Sequence, residues 1–292
     1  MSDFRWSPKR ILVGFEGSEG GKDAVDLARV LSDAGSEILL VNVIPYPGPM
    51  PASFYVLGYQ DATVEKDFFD EARAVLGDRV VEVRSYVGGS PAHALSDIVE
   101  GEGFDLVLVG SPHRGAVGRA VLGSVAQGLM HGTPAPVIVA PRGFAQQNHD
   151  APRVIAVAYD GMPESNAALR HAEALARAGG ASLRVLTVAS VPTTVAGLLG
   201  YVPPMPKAPA DVLRDGVASV DDEAAAEGRE LHGDSIAGAL AEACGEDVDL
   251  LVAGSRGYGA FSRVMIGSVS TALIHTAPCP VLIVPRPDLK AR

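Results

Sequence analysis

The chain has 292 residues, 47% apolar and 20% charged, with a formal net charge of −11 at pH 7. That length suits about two domains, and the acid excess excludes generic attraction to nucleic acid or to an anionic membrane, since either would be repelled. Cys244 and Cys279 lie far apart in the chain without metal-ligand spacing. With no secretion signal in "MSDFRWSPKR" and no apolar run fit to cross a bilayer, a reduced, cytoplasmic protein is expected.

In chain order, "ILVGF" (11–15) reads as a strand, and residues 19–34 carry apolar side chains at helical spacing (Ala24, Leu27, Ala28, Leu31). "EILLVNVI" (37–44) is a second strand and 61–76 reads as helix. "VVEVRSYV" (80–87) is a strand, 91–101 a helix, "FDLVLVG" (104–110) a strand, 124–131 a helix and "PVIVAP" (136–141) a strand. Near-continuous Val/Ile/Leu strands separated by helices predict a buried parallel sheet. The loops 45–60 and 191–209 are Pro-rich, partly apolar and long for a compact domain, which suits lids or partner-contact loops.

The chain then repeats. Residues 104–142 align without a gap on 248–286, with about 17 of 39 positions identical. The openings align at the same offset of 144, setting Glu16-Gly17 over Asp160-Gly161. "GFAQQNHDAP" (143–152) is polar and reads as a linker, so the expected domains are 1–146 and 147–292. Each is expected to be α/β, doubly wound, with a five-stranded parallel sheet. The third strand of the second half is the least marked, within "GRELHG" (228–233).

Ligands of such sheets sit beyond the carboxyl ends of the strands. Two features fall there. Asp160 follows the first strand of its half, where a carboxylate can accept hydrogen bonds from a ribose. "GSRGYGAFSRVMIGS" (254–268) follows the fourth strand. Glycine lets backbone approach a bulky anion, and consecutive N–H groups form an anion nest. Gly267-Ser268 opens the next helix, whose free N–H groups and dipole favour phosphate, with Ser268 suited to N-cap it.

With these residues on the page, the chain resembles a tandem universal stress protein. Gly254, Gly257, Gly267 and Ser268 fit that family's ATP-binding signature, G-x2-G-x9-G-[ST]. "AYDGMPES" (158–165) resembles its opening and "HTAPCPVLIVPR" (275–286) its last strand. The resemblance implies a Rossmann-like nucleotide fold, an ATP-responsive role in stress adaptation and a homodimer through last-strand contacts. It implies that Asp160 and the backbone near Val188 meet the adenosine, while Gly254, Gly257, Gly267, Ser268 and Val269 hold the phosphates. The first-half counterparts are Glu16, Val43, Gly110, His113, Gly123, Ser124 and Val125. There the loop departs from the pattern. Glu16 is longer than Asp, Pro112 has no N–H, and His113 stands where the family has glycine. Gly115 two residues on, or His113 and Arg114 as cations, could offset this, so whether the first half binds stays open.

Blander readings compete. Glu16 and Asp160 could only cap the following helices. His131 and His275 match each other at helix C-termini, where the last carbonyls are their expected partners rather than a reaction. Arg119 and Arg263 also match, facing either phosphate or solvent. "EGGKD" (19–23) is not a Walker loop, and "AGSRG" (253–257) mimics a nucleophile elbow without the Asp and His that should follow. No catalytic residue or protein metal site is read; a Mg²⁺ carried on ATP phosphates is the one metal admitted. The reading is a ligand-gated regulatory module with an unidentified signalling partner. Its rivals are a slow ATPase or adenylyl-transfer enzyme on the same fold, and a scaffold without nucleotide.

Overall fold

The structure, a computed structural model, describes residues 8–33, 35–45, 60–61, 66–111, 123–189, 207–221, 225–255 and 268–285. The chain divides into two compact units, one built on residues through Ala151 and the other on residues from Pro152 onward.

The first unit contains strands β1 (Arg10–Gly14), β2 (Glu37–Pro45), β3 (Gln60–Asp61), β4 (Val80–Gly88), β5 (Leu106–Gly110) and β6 (Val137–Ala140). Its helices are α1 (Glu19–Leu31), α2 (Asp70–Leu76), α3 (Pro91–Glu102) and α4 (Ser124–Gly132). The strand order is β3-β4-β2-β1-β5-β6, parallel except for the two-residue β3, which runs antiparallel to β4. The helix expected over 61–76 is therefore shorter. Asp61 belongs to β3, a 3₁₀ turn covers Lys66–Phe69, and α2 follows. The apolar spacing of 61–76 had merged these pieces into one.

The second unit repeats the plan with β7 (Val154–Ala158), β8 (Ser182–Ala189), β9 (Ala226–His232), β10 (Leu250–Gly254) and β11 (Val281–Val284). Its helices are α5 (Pro163–Gly179), α6 (Pro209–Ala218), α7 (Ile236–Asp247) and α8 (Ser268–Thr276). All pairings within this sheet are parallel, in the order β11-β10-β7-β8-β9. The weakly marked third strand exists as β9, half-exposed along most of its length, which is why its sequence lacks an apolar run. No described helix is long and apolar enough to cross a membrane.

Matching carboxylates set the register at the amino ends. Asp105 Oδ2 accepts the N–H groups of Lys9 and Arg10 at 3.0 Å each. Asp249 Oδ2 accepts those of Arg153 and Val154 at 2.8 and 2.9 Å. Matching glycines act at the other end of the same strands. A Cβ on Gly254 would lie 2.6 Å from the Glu164 carbonyl oxygen, and one on Gly110 only 1.8 Å from that of Gly20. The first turn of the helix that follows the first strand thus rests directly on the end of β5 in one unit and of β10 in the other, and only glycine leaves room.

The segment 143–152 is not a free linker. Buried Asp23 of α1 accepts the Gly143 N–H at 3.0 Å and the Ala145 N–H at 2.9 Å. Arg29 donates to the His149 carbonyl at 3.2 Å, and the His149 ring stacks on Phe144 at 3.8 Å. The connector is held against the first unit by a charge that reads its backbone.

Cys244 and Cys279, distant in the chain, are brought together. Both are buried, and a Cβ on the neighbouring Gly245 would stand 3.8 Å from Pro278 Cγ, in ordinary contact. A hydrogen bond with Cys244, and then burial, push the Cys279 thiol far up, which makes it unreactive.

Two outcomes follow from this packing. Gly254→Ala destabilises the second half by about 2 kcal/mol and Gly110→Ala destabilises the first by more, each read from urea unfolding midpoints. Both thiols resist alkylation in the folded chain and react fully in guanidinium, as mass spectrometry of trapped adducts would show.

Candidate functional site

At the carboxyl edge of the second sheet lies a cleft open to solvent, with a cavity volume of about 120 Å³. It sits where the chain reverses direction across the sheet, between β7 and β10, the switch point of a doubly wound fold. Ala158 and Ala253 near the carboxyl ends of β7 and β10, with Leu186 of β8, form its floor. Val212 of α6 and Leu240 of α7 line its walls. Asp160, Glu164, Ser165, Thr187 and Ser270 bring polar groups to it. An apolar slot with a few placed polar groups is the usual form of a small-molecule site.

Asp160 is held by local bonds. Its Oδ1 accepts the Met162 N–H at 3.1 Å, its own N–H donates to Ser165 Oγ at 3.3 Å, and Ser165 Oγ donates to the Met162 carbonyl at 3.0 Å. Gly161 turns the chain with φ +77°. The N-cap of α5 is Met162, without a side-chain cap bond. Asp160 therefore shapes the turn before the helix rather than capping it, and its carboxylate borders the cleft.

Tyr159 was not singled out by the sequence, yet it organises one wall. Its hydroxyl donates to Asn166 Oδ1 at 2.8 Å, and Thr187 Oγ1 donates to its carbonyl at 2.9 Å. Its ring occupies the space beside Gly216, where an added Cβ would lie 2.6 Å from Cε1. Burial, and then the Asp215 carboxylate, push its phenol above the ordinary value. Val188 lines the cleft one residue beyond Thr187, opposite Leu231 in the register of β9. Val43 holds the matching place in β2, opposite Tyr86.

On the far side, α8 starts at Ser268, with Val269 and Ser270 lining the cleft. Ser270, also missed in sequence, donates its hydroxyl to the Gly254 carbonyl at 3.0 Å, tying the helix start to the end of β10. The signal was the second serine of "GSVS" (267–270), where the first half has Ala126. In the first half Gly123 is the N-cap of α4, extended at φ −60° and ψ 130°, so Ser124 is the first helical residue and Val125 the second. The serine of the motif is thus inside the helix start and not its cap. Gly257, Gly267, Pro112, His113, Arg114, Gly115, Arg119 and Arg263 lie outside the described residues, as do 46–59 and 190–206 of the two Pro-rich loops.

Glu16 behaves differently from Asp160. Ser18 Oγ donates to Glu16 Oε1 and accepts the Gly21 N–H at 3.3 Å as the N-cap of α1. Its other oxygen comes within 3.3 Å of the position a Cβ on Gly21 would take. The extra methylene lets this carboxylate fold back onto the helix start. His131 and His275 both sit in the last turns of their helices. Burial pushes the His275 imidazole below its ordinary value, opposite to what pairing with the helix C-terminus alone would do.

Comparison with known proteins follows the same division. Residues 8–141 and 152–285 each match the family model described as the universal stress protein family. A universal stress protein of Mycobacterium tuberculosis (strain H37Rv) is 27% identical over 308 aligned positions, covering 94% of this chain and 99% of that one. One from Mycolicibacterium smegmatis is 28% identical over 306 positions, covering 94% and 96%. In fold, the crystal structure of a universal stress protein from Archaeoglobus fulgidus superposes with a TM-score of 0.64 at 18% identity, covering 96% of this chain and all of that one.

For His275, protonation costs more in the folded than in the unfolded chain. The stability it supports is intact above its ordinary value of about 6.5 and falls as the pH drops below it. NMR titration of the ring protons should place its midpoint below that value, and His275→Gln should flatten the acid limb of a stability profile.

Proposed function

The chain belongs to the universal stress protein family, and from that premise we propose that its second half binds ATP as a regulatory ligand in stress adaptation. One observation carries the reading. The cleft at the switch point joins the Asp160 carboxylate on one side to the start of α8 on the other, across an apolar floor. Those residues suit a nucleotide in kind. The flat apolar slot beside Val188 suits a base, the carboxylate suits ribose hydroxyls, and the free N–H groups at a helix start suit phosphate.

In this reading Asp160 orients the sugar while the signature glycines Gly254, Gly257 and Gly267, with Ser268 and Val269, receive the phosphates and any Mg²⁺ they carry. The chain's own part is to bind and orient. Ser270 anchors the helix start to β10 beforehand, so its donors need not reorganise when an anion arrives. Ligand binding then shifts a surface for a downstream partner, since a ligand moves an equilibrium only by its preference between states. A homodimer through last-strand contacts and a cytoplasmic location complete the reading.

Equilibrium dialysis of the full chain with Mg²⁺ and labelled ATP tests it. Saturable binding is expected, weakened about tenfold in Asp160→Ala, which loses charge-assisted hydrogen bonds. A thermal melt of the variant separates lost ligand contact from a loosened turn. Absence of saturable binding by the wild-type chain would overturn the reading.

A further inference from the structure

The halves differ at a position neither motif includes. In the second half Val212 of α6 faces Gly161, the residue after the acid, at 3.4 Å from where a Cβ on that glycine would stand. In the first half the same offset brings Phe68 to face Gly17, at 3.0 Å from the corresponding point. The Phe68 ring is locked in place. It packs on Phe15 with centroids 5.4 Å apart and edge-on to Phe69 at 5.0 Å, and both of those rings are buried. Phe15 is the counterpart of Tyr159, without a hydroxyl to bond across the turn.

Two further differences act in the same direction. Gly20 replaces Glu164, and the helix after the first strand comes closer to β5 than its counterpart does to β10, as the 1.8 Å against 2.6 Å approach at Gly110 and Gly254 records. Glu16 takes the Ser18 hydroxyl, while Asp160, which takes the Met162 N–H at the same offset, also borders the cleft. A nucleoside laid beside the acid in the first half would meet a phenyl ring where the second half offers a smaller isopropyl group.

Resting on the nucleotide reading above, the geometry points to Phe68 as the residue that closes the first half's nucleoside site, and to Val212 as the one that leaves the second open. The chain therefore takes one nucleotide, in its second half. The occlusion lies at the sugar and base end, apart from the Pro112-His113 departure at the phosphate end. It depends on the chain's own aromatic cluster rather than on a lost ligand contact.

The test is binding stoichiometry of Mg²⁺ and labelled ATP on the full chain, with melting curves for each variant. Wild type should bind one ATP per chain. Phe68→Val should add a second class of sites, weaker than the first because Pro112 and His113 remain. Val212→Phe should weaken the original site about tenfold or more by overpacking. Should Phe68→Val melt early, Phe68→Leu carries the same arm with a smaller loss of packing. Two ATP per wild-type chain, a single class in a folded Phe68 variant, or unchanged affinity in Val212→Phe would each overturn the proposal while sparing the nucleotide reading. No binding by wild type would remove both.

Discussion

The cleft depends on how closely one helix approaches one strand. In each half the first turn of the helix after the first strand rests against the last residue of β5 or β10, and only hydrogen fits between. That contact fixes the gap at the switch point, because both sides of the gap are built from it. The glycine most easily read as a ligand contact is therefore also a packing residue. Its presence in both halves says that both kept the fold, not that both kept the ligand.

Around this shared frame, the halves diverge where side chains enter the gap. In the second, small residues at 158 and 253 and a valine at 212 leave a slot, with Tyr159 fixed in its wall by hydrogen bonds at its hydroxyl and its carbonyl. In the first, three phenylalanines converge on the same turn. Aromatic packing there supplies stability that a solvated slot cannot, since each buried ring removes much apolar area from water. Stability and ligand space are alternatives at this position, and the duplicated chain holds one of each.

The α/β architecture was legible because buried parallel strands leave long apolar runs, and the duplication because fourth strand, glycine loop and last strand stayed in register. The third strand of the second half was faint because its exposed face needs no apolar residues, and in the 61–76 stretch a 3₁₀ turn runs directly into a short helix. Within the site, Asp160 and Gly254 were readable from position after a strand. Ser270 and Tyr159 were not, because each acts through a partner distant in sequence, the Gly254 carbonyl and the Gly216 face. The closeness of Cys244 and Cys279 was hidden for the same reason: it exists only once α7 packs beside the turn into β11.

The connector carries a different consequence. Asp23 grips two backbone N–H groups of the segment it holds. A grip of that kind dictates the path of a segment while leaving its spelling open. Among the positions it touches, Gly143 alone is constrained by its backbone, at φ +76°. At the gripped positions the path is thus set by one carboxylate on α1 and one glycine at the turn, while the buried Phe144 and its stack on His149 fix side chains as well. The two residues that set that path lie about a whole domain apart in the chain.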